Sequence, residues 1–178
     1  MQILSSTRLK RGPAPLPRSI FTTMHPSPVG LLTIAATELG VCGLYFEEHK
    51  YFNGTDGWHR LPQQVHLTEA VAQLNAYFAG HRSAFDLPLD VAGTAFQSRV
   101  WQALRRIDYS TTTTYATHAQ RVGTPLAIRA VATAIGRNPI SIIVPCHRVI
   151  GSTGTLNGYA GGLERKRLLL ALEQRRTN

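Results

Sequence analysis

Residues 138–159 read Asn-Pro-Ile-Ser-Ile-Ile-Val-Pro-Cys-His-Arg-Val-Ile-Gly-Ser-Thr-Gly-Thr-Leu-Asn-Gly-Tyr, an apolar run that meets a Pro-Cys-His-Arg tetrapeptide and then a glycine-punctuated loop. The run Ile140–Val144 predicts a strand covered on both faces. Pro145 has no N–H to give to a ladder, so the strand should stop there. That delivers Cys146 at the edge of a rigid element, a sound place for a nucleophile. A thiol reacts as thiolate and needs a base or positive charge nearby, and His147 and Arg148 follow at once. A Cys-His pair alone is weak evidence, since free cysteine is among the most buried residue types and usually just packs.

Cys42 and Cys146 are the only cysteines. They give no disulfide framework and no Cys-x-x-Cys metal pattern, so no metal site is expected. A thiol that must stay reduced argues for a reducing compartment. No apolar run is long enough to span a membrane. The basic, proline-rich start, residues 1–18, lacks the apolar core of a secretory signal and is expected to be a flexible arm.

Charge narrows the partner class. The net charge is +9; residues 1–94 hold seven Lys and Arg against seven Asp and Glu, and residues 95–178 hold twelve against three. The whole excess lies in the half with Cys146, the footprint of a phosphate-backbone binder. A solvated basic face without a partner gives the same count.

Patterning supports an α+β or α/β chain, with a small mixed amino-terminal domain over 19–92 and a mostly helical carboxy-terminal domain over 93–178. Phe21–Met24, Leu31–Thr37 and Val41–Glu47 read as strands, with a turn over His25–Gly30. Cys42 is expected in the core. Residues 48–62 read as loop, Leu67–Phe78 as an amphipathic helix, and Phe85–Val91 as another strand broken by Pro88. His25, His49, His59, His66 and His81 read as surface or loop residues. Beyond the linker Ala92-Gly93-Thr94, helices are predicted over Phe96–Ile107, Tyr115–Val122 and from Pro125 to about Ile135, with Thr124 as N-cap of the last. Two short helices around Gly-Thr-Pro read as a helix-turn-helix; such spacing alone favours an ordinary helical hairpin, and it is Arg129 on the second helix with the domain's charge that points to DNA.

Pro145-Cys146-His147-Arg148-Val149 resembles the signature of the O6-alkylguanine-DNA alkyltransferases, the methylated-DNA–protein-cysteine methyltransferases. The likeness extends through Arg129-Ala130-Val131, Asn138-Pro139, Gly158-Tyr159-Ala160-Gly161-Gly162 and Leu168–Glu173, about residues 95–173 in all. The resemblance implies direct-reversal repair: Cys146 takes the alkyl group from O6-alkylguanine in duplex DNA, irreversibly and without a cofactor, with O4-alkylthymine as a second candidate substrate. It implies that His147 is the base, acting through water, that Glu173 orients it, and that Asn138 and Tyr115 assist. Arg129 would fill the stack vacated by the flipped base, its helix lying in the minor groove. Ala130, Thr124, Phe96, Tyr115 and Ser152 would contact DNA, and Tyr159, Ala160, Val149 and Pro145 would wall the pocket. A monomer is expected, in a bacterial cytoplasm or a eukaryotic nucleus; cooperative assembly on DNA stays open.

Two departures from the common pattern stand out. Asp108 and Ser110 occupy positions where many members have proline and glycine, and Ala132 replaces a common glycine. The small Ala160 predicts tolerance of bulky O6 groups. A damage sensor that binds without repairing, a thiol hydrolase using Cys146, His147 and Glu173, and a helix-turn-helix regulator are the rival readings. Cys146 argues against the first, and the basic half with Arg129 against the second.

Overall fold

The computed structural model describes residues 18–175; apart from Arg18, the predicted arm lies outside the described residues. Three antiparallel strands, β1 (Phe21–Ser27), β2 (Gly30–Ala36) and β3 (Val41–Phe46), form a meander, with the short β4 (His59–Arg60) pairing parallel to β1. β1 runs past the predicted turn, through Pro26 opposite Leu31. Its other edge is paired only at Phe21 and Thr22, so Pro26 needs no N–H there. Helix α1 (Val65–Ala79) lays Leu67, Ala70, Leu74 and Tyr77 on the sheet, all buried. Gly80, at φ 81°, ends it in the left-handed conformation that glycine adopts without penalty.

The outer edge of β3 joins the two halves of the chain. Leu44 N–H donates to Pro139 O at 2.9 Å, and Ser141 N–H donates back to Leu44 O at 3.1 Å. The strand predicted over Ile140–Val144 does not form. Only Ile140 makes a bridge; Ile142 then takes φ 70°, Ile143 N–H bonds Ser141 O at 2.8 Å, and Val144 N–H bonds Ile140 O at 3.0 Å. These local bonds use up the groups a ladder would need. The apolar run reports burial, which a compact turn satisfies as well as a strand. The strand predicted over Phe85–Val91 is likewise reduced to a bridge between Leu89 and Val41, where Pro88 contributes only its carbonyl.

Helix α2 (Ala95–Leu104) opens on a capping box between Thr94 and Gln97 and ends three residues before the predicted Ile107. Two-residue strands β5 (Thr113–Thr114) and β6 (Val149–Ile150) pair in parallel. α3 (Tyr115–Arg121) and α4 (Ile128–Gly136) pack on α2, and Trp101 Nε1 bonds Ala134 O at 2.9 Å. Thr124 does not cap α4. Gly123 takes φ 80° and Thr124 N–H bonds Ala119 O at 2.9 Å, a closure that ends α3. α4 starts later, at Ile128 behind Ala127, with no side-chain cap. A single 3-10 turn, Cys146–Arg148, follows Pro145, and α5 (Leu163–Gln174) closes the described chain. Among the described residues no helix is long and apolar enough to cross a membrane.

Candidate active site

Cys146 is 6% exposed and sits in the 3-10 turn just after the compact 140–144 turn. Asn138 organises both. Its Oδ1 accepts from Ile140 N–H at 3.0 Å, and its Nδ2 lies 2.8 Å from Val144 O and 3.1 Å from Cys146 Sγ. The side chain itself is buried, so these bonds form away from competing water. Burial pushes the Cys146 thiol up from its ordinary value, while the Asn138 bond and the charge of Lys166 pull it down. Burial prevails, and the resting sulfur is a thiol that needs a base.

A candidate for that base stands next in sequence. His147 Nε2 lies 2.9 Å from Glu173 Oε1. Opposite an ionised carboxylate Nε2 carries the proton and donates, which leaves Nδ1 as a lone-pair acceptor. Nδ1 is buried and makes no hydrogen bond with any described residue. Burial lowers the His147 pKa, against the opposing pull of Glu173, so the imidazole is neutral at pH 7. Burial alone would raise Glu173; bonds from His147 and Arg148 outweigh it and bring it down to about 2. Arg148 engages both carboxylate oxygens, Nη2 to Oε1 at 2.9 Å and Nε to Oε2 at 3.0 Å. Its Nη1 donates to Ile107 O at 2.6 Å. Ser110 N–H adds a bond to Oε2 at 3.1 Å.

A cavity of about 550 Å³ is lined by Tyr115, Arg129, Tyr159 and Ala160 together with Lys50 and Tyr51 from the first half; Cys146 is not in its lining, and Tyr115 and Tyr159, both within electrostatic reach of Cys146, connect the two. Tyr115 Oη donates to Asn157 O at 3.0 Å. Lys166, wholly buried, spans the loop below: its Nζ donates to Val149 O at 2.7 Å and Asn157 O at 3.1 Å, and burial brings its pKa down to about 8. The backbone of Gly161 runs so close to Phe46 of β3 that a Cβ there would fall 2.2 Å from the ring, so only glycine fits. Among the described residues no group of three or more His, Cys, Asp or Glu side chains could hold a metal.

Comparison with known proteins agrees with this geometry. Residues 20–91 match the family described as 6-O-methylguanine DNA methyltransferase, ribonuclease-like domain, and residues 95–175 match its DNA binding domain. The chain belongs to the 6-O-methylguanine DNA methyltransferase family. It is 49% identical over 149 residues to a methylated-DNA–protein-cysteine methyltransferase of Mycolicibacterium paratuberculosis, covering 84% of this chain and 89% of that one. A Haemophilus influenzae relative of the same name is 43% identical over 157 residues, covering 88% and 87%. The crystal structure of Mycobacterium tuberculosis O6-methylguanine methyltransferase superposes with a TM-score of 0.82 at 47% identity, covering 88% of this chain and 94% of that one. A Mycobacterium tuberculosis structure solved in complex with DNA gives 0.80 at 47% identity, covering 89% and 94%.

In this alkyltransferase-family chain Asn138 bonds Cys146 and His147 bonds Glu173, two pairs joined by the Cys146-His147 peptide rather than by a hydrogen bond, and Tyr115, Arg129, Tyr159 and Ala160 share the cavity. Pro145 and Val149 are buried and do not line that cavity; Pro145 lines a separate one of about 250 Å³. Phe96 lies at the start of α2, faced by the Arg99 guanidinium at 5.7 Å, away from the cavity. Ala130 and Ser152 are exposed, and Thr124 is half-buried in the turn before α4. His49 is not a surface residue: it is 4% exposed. Cys42 is half-buried, with burial pushing its thiol up to about 11. Sequence reasoning missed Tyr77, Lys166, Lys50 and Tyr51. The ordinary signal for a buried lysine is its placement on the apolar face of a helix, and Lys166 sits three residues before the buried Leu169.

Proposed function

We propose that this protein repairs O6-alkylguanine in duplex DNA by a single, irreversible alkyl transfer to Cys146. The Cys146–Asn138 bond beside a neutral His147 locked to Glu173 is the observation that carries the reading. His147 Nδ1, the unpaired nitrogen, takes the Cys146 proton through a water. Sγ then attacks the alkyl carbon; the S–C bond forms as the C–O6 bond breaks, and the electron pair leaves on O6. Guanine recovers a proton as it departs, with the Tyr115 hydroxyl as the donor at the cavity; Tyr115 takes a proton back from solvent and the His147 imidazolium releases one to it, so the net transfer is the thiol proton to guanine. Asn138 Nδ2–H bonds the sulfur and favours the thiolate as it forms. The product is a thioether, which no neighbouring group can cleave, so each molecule acts once.

DNA is the partner, and the basic second half is the surface for it. α3 and α4 form a helix-turn-helix within a domain of residues 93–178, set against the mixed domain of 19–92. Arg129 is exposed on α4 and lines the cavity, which fits a guanidinium that stacks where the flipped base was. Ala130 lies beside it on the same exposed surface.

The test is intact and peptide mass after mixing the full chain with duplex DNA bearing one O6-methylguanine. One methyl mapped to Cys146 and saturating at one per molecule is expected. Tight binding without a mass change identifies a damage sensor instead, and catalytic turnover identifies a hydrolase.

A further inference from the structure

We infer that Tyr51, supplied by the first half of the chain, is a specificity-determining residue of the cavity, an aromatic wall for large O6 substituents. The inference rests on the alkyl-transfer reading above. Tyr51 lines the same cavity as Tyr115, Arg129, Tyr159 and Ala160, and its side chain is 38% exposed. At about 550 Å³ the cavity has the size of pockets that take drug-sized ligands, room for a flipped guanine together with a substituent on it.

The segment that carries Tyr51 is fixed from both sides. Lys50 N–H donates to the carbonyl of Ala160, itself a cavity residue, at 2.9 Å. Tyr51 N–H donates to His49 Nδ1 at 3.3 Å, and Phe52 N–H donates to His49 O at 3.0 Å. His49 is buried, and burial pulls its pKa down to about 4, so the ring stays neutral and Nδ1 accepts at pH 7. On α4, Gly136 lies beside the tyrosine ring: a Cβ there would make ordinary contact, 3.9 Å from Tyr51 Cε2. The Lys50 ammonium and the Arg137 guanidinium each lie 5.5 Å from the ring centroid, which holds its orientation. A held aromatic ring at a cavity wall offers an apolar substituent a partner for stacked or edge-to-face contact, and an O6-methyl group is too small to use it.

The experiment measures single-turnover transfer by the full chain, its Tyr51→Ala and its Tyr51→Phe variants, on duplexes carrying O6-methylguanine or O6-benzylguanine. Rates are read by intact mass and normalised to the alkylated end point, so an inactive fraction drops out. Tyr51→Ala is expected to lower the benzyl-to-methyl rate ratio roughly fivefold or more, the scale of one aromatic pair, while Tyr51→Phe keeps it. An unchanged or raised ratio, or equal loss on both substrates, overturns the inference. A wild-type chain that gains mass on neither duplex overturns the alkyl-transfer reading itself, a different result from an alkylating wild type with an unmoved ratio.

Discussion

The hydroxyl of Tyr77, on α1, donates to Glu173 Oε1 at 2.8 Å, the same oxygen that His147 Nε2 engages at 2.9 Å. The first half of the chain therefore holds the carboxylate that orients the imidazole. Tyr77 is wholly buried, and a hydrogen bond to a charged group contributes about 1.5–3 kcal/mol. Tyr77→Phe should cost about 2 kcal/mol in urea unfolding and slow single-turnover transfer several-fold. A stability loss with an unchanged rate would limit Tyr77 to a packing role.

Asn138 ties the 140–144 turn to the thiol. Asn138→Ala leaves the buried Ile140 N–H without its acceptor, at about 1–3 kcal/mol, while Val144 O loses one of two donors and keeps the Cys146 N–H at 2.8 Å. It also removes a bond that pulls the thiol pKa down. The variant should unfold about 1–3 kcal/mol more easily, and its Cys146 should react with iodoacetamide more slowly than wild type at equal pH. Equal thiol reactivity would remove Asn138 from the chemistry.

Glu173 makes stability depend on acid. Its folded pKa is about 2, against about 4.5 unperturbed. A carboxylate with a depressed folded pKa adds stability that is full above the unfolded value and lost as pH falls toward the folded one. Unfolding free energy should drop between about pH 4.5 and 2. Glu173→Gln, less stable at pH 7, should show a shallower drop over that window. Parallel acid profiles for the two proteins would contradict the assignment.

Ser110 is strained. It sits at φ 60°, in the left-handed region, while its N–H bonds Glu173 Oε2. The left-handed conformation costs a non-glycine residue roughly 1–2 kcal/mol, and glycine gives back somewhat less than that through unfolded-state freedom. Ser110→Gly should raise stability by about 0.5–1 kcal/mol, with the Glu173 bond kept. A thermal melt settles it, and a lower melting temperature would show that the serine side chain contributes more than its strain costs.

Much of the site was legible in the residues. The Pro-Cys-His-Arg step pointed to the candidate nucleophile and base, and the spacing of apolar residues placed α1, α2 and α3 within a few positions. Resemblance supplied Asn138, Glu173, Tyr115 and Arg129, and the folded chain puts the first two against Cys146 and His147 and the others on the cavity. Ile140–Val144 misled, because an apolar run reports burial and carries no record of the backbone angle at Ile142. Thr124 misled because its N–H was claimed by the end of α3 rather than the start of α4.

Sequence by itself determined which thiol and imidazole are the candidates for chemistry, where the positive charge lies and which segments are helical, because each is set by residue type or by neighbours within a turn or two. Tertiary structure alone decided that Tyr77 meets Glu173 across 96 positions and that Ala160 accepts a bond from Lys50. It also decided that His147 is left with one unpaired nitrogen. Those contacts join residues far apart in the chain. They arise only when the β3 edge docks on the 139–141 segment, and no local pattern encodes that meeting.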